Sequence, residues 1–125
     1  MLLTGDIEAR GEDALLHAAK GEAARSAELA SDVVVAPHHG SGTSSSPAFV
    51  AATRPRYALV SAGYANRWGF PKPAVRARWS ESGAAVAVTA DEGALTVSLD
   101  ERGVSVTAER DEHRHYWQAA DSGQR

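Results

Sequence analysis

The sequence predicts a layered α/β fold: three β-α units followed by strands that turn antiparallel. Three observations carry that prediction. The short apolar runs Met1-Leu2-Leu3, Val33-Val34-Val35 and Tyr57-Ala58-Leu59-Val60 each end at or near a Gly or Pro loop and read as buried strands. Between them lie segments with helical spacing or helix-start signals. Beyond residue 84 the pattern changes to short segments divided by Asp/Glu/Gly turns, and the last two alternate as a half-exposed hairpin does.

Taken in order, Met1 to Thr4 is the first strand, and Gly5-Asp6 breaks it. Ile7 to Lys20 carries Ala14, Leu15, Ala18 and Ala19 at helical spacing. Gly21 interrupts, and Glu22 to Ala30 reads as a second helical piece. Asp32 to Ala36 is the best-marked strand, and His38 to Ser46 is a loop of Gly, Ser and Thr. Ser46-Pro47 starts a helix through Thr53, because Ser caps the free N–H groups and Pro lacks an N–H that would be unpaired there anyway. Arg56 to Ala62 is a strand, Gly63 to Lys72 a loop, and Pro73 to Ser82 a helix stopped by Gly83. Ala85 to Thr89, Leu95 to Leu99 and Val104 to Ala108 are strands, separated by turns at Asp91-Glu92-Gly93 and Asp100-Glu101-Arg102-Gly103. Residues 1–110 form one unit and 111–125 a polar C-terminal tail, with only Tyr116-Trp117 suited to packing. Leu2, Leu3, Val33, Val34, Val35, Leu59 and Val60 are expected to be buried, and Trp79 to lie in the core.

Composition bounds the function. At 125 residues the chain is one domain or part of one. Its net charge of -3 offers no general basic surface for nucleic acid. With no cysteine there is no disulfide framework, thiolate metal site or Cys nucleophile. No apolar run reaches the ~20 residues of a membrane-spanning helix, and no export signal is visible.

Chemistry-bearing residues fall where the strands end. Asp6 follows a Gly that permits a sharp turn; its carboxylate can ligate a cation or simply cap the next helix. His38 and His39 follow the second strand. Adjacent imidazoles on an irregular turn diverge, so one suits a metal and the other a substrate. The hydroxyl-rich stretch from Gly40 to Ser46 suits an anion held by backbone N–H groups. Asn66-Arg67-Trp68 follows the third strand: Arg67 can grip a phosphate and Trp68 can stack on a base, although Trp68 also reads as a lid on the core. Arg54, Arg56, His113 and His115 read as solvated.

Together, Leu3-Thr4-Gly5-Asp6, Asp32-Val33 through Pro37-His38-His39-Gly40-Ser41, Thr43 to Phe49, Arg54-Pro55-Arg56, Ser61-Ala62-Gly63-Tyr64, Asn66-Arg67 and Phe70-Pro71 run in the order seen in ComEC-type competence proteins. The chain resembles the C-terminal metallo-β-lactamase-like domain of those DNA-uptake channels, over roughly residues 1 to 118. Phe70 stands where many members place a histidine. The resemblance implies the C-terminal half of an αββα metallo-β-lactamase-type sandwich, incomplete without an N-terminal half bearing an HxHxDH motif. It implies a fragment of a metal-dependent phosphodiesterase or nuclease that degrades the non-transforming strand. Asp6 and His39 would be metal ligands for Zn or Mn, held weakly or not at all by this fragment. His38 would be catalytic, and Ser41, Asn66 and Arg67 would contact substrate. The implied partners are single-stranded DNA, the missing N-terminal half and a membrane channel domain, at the extracytoplasmic (periplasmic) face of the cytoplasmic membrane. A non-catalytic remnant or binding module of the same fold, or a metallohydrolase of another phosphoester, are the alternatives. Alone, the chain is expected to be inactive.

Overall fold

A computed structural model describes residues 1–20 and 29–112. The elements are β1 (Leu2–Leu3), α1 (Ala9–Lys20), β2 (Val33–Val35), a 3-10 turn (Pro37–Gly40), α2 (Pro47–Thr53), β3 (Tyr57–Val60), α3 (Pro73–Glu81), β4 (Ala85–Val88), α4 (Thr89–Glu92), β5 (Leu95–Asp100), β6 (Gly103–Ala108) and α5 (Glu109–Glu112). Most of the helical piece expected from Glu22 and the aromatic pair Tyr116-Trp117 lie outside the described residues.

Strands β1 to β4 form one parallel sheet in sequence order. Parallel neighbours need long crossovers, and α1, α2 and α3 lie in them. Right-handed crossovers between sequential strands place their helices on one face. The core shows that face: Val34, Ala58, Val60 and Val88 of the sheet cluster with Phe49 and Val50 of α2 and Val75 and Trp79 of α3. Phe49 and Trp79 meet edge to face, with centroids 6.5 Å apart. The helix starts follow local rules. Ser46 accepts from Phe49 N at 3.3 Å, with Pro47 as the first helical residue, and α3 also opens on a proline, Pro73, without a side-chain cap.

Two expectations fail at the sheet. Leu3 is 71% exposed rather than buried, and Leu2 and Val35, also expected in the core, are only half-buried. The row Leu3-Val35-Leu59-Ala87 lies on the opposite face from the helices, and β1 is a two-residue edge strand. Leu59 at the centre of that row is buried, whereas Leu3 at its edge has nothing over it. The strand from Ala85 also pairs with β3 in parallel rather than entering a hairpin. The turn expected at Asp91-Glu92-Gly93 is largely a helical turn, α4, in which Glu92 Oε1 accepts from Val88 N at 3.0 Å. Only β5 and β6 form a hairpin, closed by Asp100 and Gly103 with Arg102 N donating to Asp100 Oδ1 at 2.8 Å.

Helix α1 buries a carboxylate. Glu12 is fully buried and lies on the inner face with the half-buried Leu16 and Ala19, while Ala14, Leu15 and Ala18 face solvent. Its two oxygens accept from Ser45 N and from Ser46 N, the latter at 2.8 Å. Ser45, itself buried with a φ of 55°, accepts from Trp79 Nε1 through Oγ at 3.1 Å and from the Arg78 guanidinium through its carbonyl. The hydroxyl-rich loop does hold an anion, and that anion is Glu12. Replacing Glu12 by Ala leaves two backbone donors unpaired and should cost about 2–4 kcal/mol. Glu12→Gln keeps one acceptor and should cost less. Urea denaturation measures both; an unshifted midpoint for the Ala variant would show that the loop does not depend on the carboxylate.

Candidate functional site at the carboxyl edge of the sheet

The carboxyl ends of β1, β2 and β3 converge on one crevice, where open parallel sheets place their ligands. Two bonds tie the first pair of ends together: Thr4 Oγ1 donates to Val35 O at 2.7 Å, and His38 N donates to Gly5 O at 3.0 Å. Asp6 stands three residues ahead of the first residue of α1, so it does not cap that helix.

The turn after β2 is strained. His38 (φ 48°, ψ 46°) and His39 (φ 57°, ψ 21°) are both left-handed, and Gly40 follows with φ 76°. A left-handed side-chain-bearing residue costs on the order of 1–3 kcal/mol and persists only where its surroundings impose it. Here they do. Ser44 Oγ donates to Pro37 O at 2.8 Å, and Lys72 N donates to Gly40 O at 2.9 Å. Gly40 also lies so close to Pro71 that an added Cβ would stand 2.6 Å from the Pro71 Cβ.

The twisted turn sends the two imidazoles to different carboxylates. His39 Nε2 is 3.5 Å from Asp6 Oδ1, and its Nδ1 is 2.7 Å from Ser61 O. A carbonyl only accepts, so Nδ1 carries the proton, and in the neutral ring Nε2 presents its lone pair beside Asp6. The carbonyl of Ser61 is held by its neighbour: Ala62 N donates to Thr89 Oγ1 and that hydroxyl donates to Ala62 O, each at 2.9 Å. His38 Nδ1 lies 3.2 Å from Glu8 Oε1, off the line of a hydrogen bond and otherwise buried without a partner among the described residues. Glu8 in turn accepts from Thr43 Oγ1 at 3.0 Å, and Thr43 Oγ1 meets Ser41 Oγ at 3.1 Å.

A cleft of about 610 Å³ opens beside the histidines, lined also by Ser61, Ala62, Gly63, Asn66, Trp68 and Phe70. Asn66 does not offer its amide to the cleft. It donates to Gly63 O and Phe70 O and accepts from Phe70 N, stapling the 63–70 loop. Ser41 is buried, with its hydroxyl turned to Thr43. The Arg67 guanidinium lies over the Trp68 ring, 4.4 Å from its centroid. Trp68 is 56% exposed, so it is not a lid on the core. Asp6 and His39 are thus brought together, whereas Ser41 and Asn66 act within the scaffold.

Two donors each about 2.1 Å from a tetrahedral ion stand about 3.4 Å apart. The Asp6–His39 separation and the backbone-fixed tautomer of His39 fit such an ion. Among the described residues no cluster of three or more His, Cys, Asp or Glu side chains is present. Glu8 carried no signal in the sequence: it reads there only as a residue of the helix start, and the meeting with His38 is made by the fold.

Fold and site together define an α/β domain in which two imidazoles, each beside a carboxylate, line a cleft at the carboxyl edge of a parallel sheet. The chain is 39% identical over 118 residues to Competence protein ComA of Neisseria gonorrhoeae, covering 94% of this chain and 16% of that protein. It is 35% identical over 99 residues to Recombination protein 2 of Haemophilus influenzae, covering 79% of this chain and 11% of the relative. It is 31% identical over 117 residues to the uncharacterized protein YcaI of Escherichia coli, covering 94% of this chain and 15% of the relative. The chain is therefore homologous to a segment of these proteins and spans less than a fifth of the length of each. No family model matches it, and no solved structure matches it significantly.

The hydrogen bond to Ser61 O makes a tautomer prediction. Nitrogen-detected NMR of the neutral rings should find His39 protonated at Nδ1. A predominantly Nε2-protonated His39 would show that the ring is not held as described.

Proposed function

We propose that this chain is the C-terminal half of a metallo-β-lactamase-type αββα domain, and that the complete domain is a metal-dependent phosphodiesterase acting on single-stranded DNA in a competence protein. The observation that carries the reading is the lone pair of His39 Nε2 held beside the Asp6 carboxylate by the Ser61 carbonyl. Homology to Competence protein ComA over nearly the whole chain supports the role in DNA uptake. Whole-protein partners in this reading are an N-terminal half that completes the sandwich and a membrane channel domain. The site of action is the extracytoplasmic, periplasmic face of the membrane.

Asp6 and His39 would hold a divalent ion, zinc or manganese, in the complete domain. Such an ion supplies a Lewis acid for phosphoryl oxygens and a nucleophile at neutral pH. The remaining chemistry belongs to the chain's own residues. His38 faces the phosphate and exchanges its proton, with the Glu8 carboxylate 3.2 Å from Nδ1 to favour the charged ring. Ser41 supports Glu8 through Thr43 rather than touching substrate. Arg67 provides a cation at the rim, and Asn66 fixes the loop that carries it.

A hydrolytic metal needs about three protein ligands and an open position. The 125-residue chain should therefore bind Mn²⁺ or Zn²⁺ weakly and cleave single-stranded DNA negligibly, and the N-terminal half supplied in trans should restore cleavage. Asp6→Ala or His39→Ala should lower metal affinity more than about tenfold and abolish the restored activity. Calorimetric metal titration and an oligonucleotide cleavage assay read these outcomes. Robust, chelator-sensitive cleavage by the chain alone would overturn the ligand count, and unchanged metal binding by both variants would overturn the assignment.

A further inference from the structure

The geometry points to a nucleobase-stacking platform built from Trp68 and Phe70 beside the two histidines, which selects unpaired bases. It deepens the reading of the cleft as a DNA phosphodiester site and rests on that reading for its substrate class.

The two rings are stacked nearly parallel, tilted by 13° with centroids 6.3 Å apart, so the pair forms an offset aromatic stack that a further ring can extend. Trp68 is 56% exposed, so much of its indole is open to a ligand. The surface is contiguous with the site: the Phe70 ring centroid is 6.1 Å from that of His38, and both aromatics line the cleft. Each ring carries a cation, Arg67 over Trp68 at 4.4 Å and Lys72 Nζ over Phe70 at 5.4 Å. Two cations flanking two rings match a nucleotide, whose base stacks while its phosphate is attracted.

The backbone beneath both rings is held before any ligand arrives. Asn66 brackets Phe70 on both backbone groups, Lys72 Nζ donates to Trp68 O at 2.6 Å, and Lys72 N is tied to Gly40 O. Ordering costs on binding are correspondingly small. Inside a duplex both faces of a base are covered by its neighbours, so these rings favour an unpaired base. A base seated there brings its own phosphodiester toward His38 and His39.

The test is equilibrium binding, without metal and in the presence of chelator, so that a failure of hydrolysis and a failure of stacking remain distinguishable. The full chain is titrated into a fluorescently labelled oligothymidylate, an abasic oligomer of equal length and a duplex, with anisotropy as the readout. The oligothymidylate should bind about tenfold or more tightly than the abasic oligomer. Trp68→Ala should remove that difference, and Trp68→Phe should keep most of it. Abasic or duplex DNA bound as tightly as the oligothymidylate, or a Trp68→Ala variant that still discriminates, would overturn the platform.

Discussion

The buried carboxylate of Glu12 is the constraint on which the rest of the described structure depends. It pairs with Ser45 N and Ser46 N, and so joins α1 to the loop that follows the histidines. Ser45 passes the connection on, since Trp79 and Arg78 of α3 both donate to it. Ser46 uses its own side chain to cap α2. One carboxylate thereby sets the relation of all three crossover helices to the loop between β2 and α2. A buried charge is tolerable only when hydrogen bonds replace its water, and two backbone donors meet that condition here.

The same loop imposes the strain that makes the site. Two left-handed histidines in succession are unfavourable locally, and nothing in their side chains relieves it. Anchors on either side hold the turn: Gly5 O and Ser44 on the strand side, Pro71 and Lys72 on the other. The result is divergence, with His38 sent to Glu8 and His39 to Asp6. An extended backbone would also send neighbouring side chains apart, but without the connection from His39 to Ser61 O that fixes its tautomer. Strain of this kind concentrates where geometry is used for chemistry.

The loop from Gly63 to Lys72 is built to a similar logic. Asn66 and Lys72 spend their side-chain donors on the loop's own backbone, leaving aromatic surface in the open. Asn66, which the sequence offers as a substrate contact, holds Phe70 instead. Arg67 covers an indole face rather than standing free. The chain that carries this arrangement is homologous to a segment of proteins several times longer.

Much of the fold was legible because it obeys local rules. Ser46-Pro47 starts a helix by satisfying free N–H groups, the run from Val33 to Val35 is an inner strand of a sheet with Val33 and Val34 buried, and Gly103 closes a tight hairpin. The meeting of Asp6 with His39 was legible too, because residues just beyond parallel neighbouring strands must share an edge. What the sequence could not decide was which groups meet across the chain. Leu3 reads as core, yet the choice of helical face leaves it open at the edge. Ala85 to Val88 could enter either a hairpin or the parallel sheet, and the crossover through α3 decides for the sheet. Glu12 reads as a surface acid until the Ser45–Ser46 backbone is brought to it. Element type follows from side-chain pattern and backbone stereochemistry over a few residues, whereas burial, the partner of a charge and the aim of an imidazole are set by contacts some thirty residues apart in sequence, which only the packed chain defines.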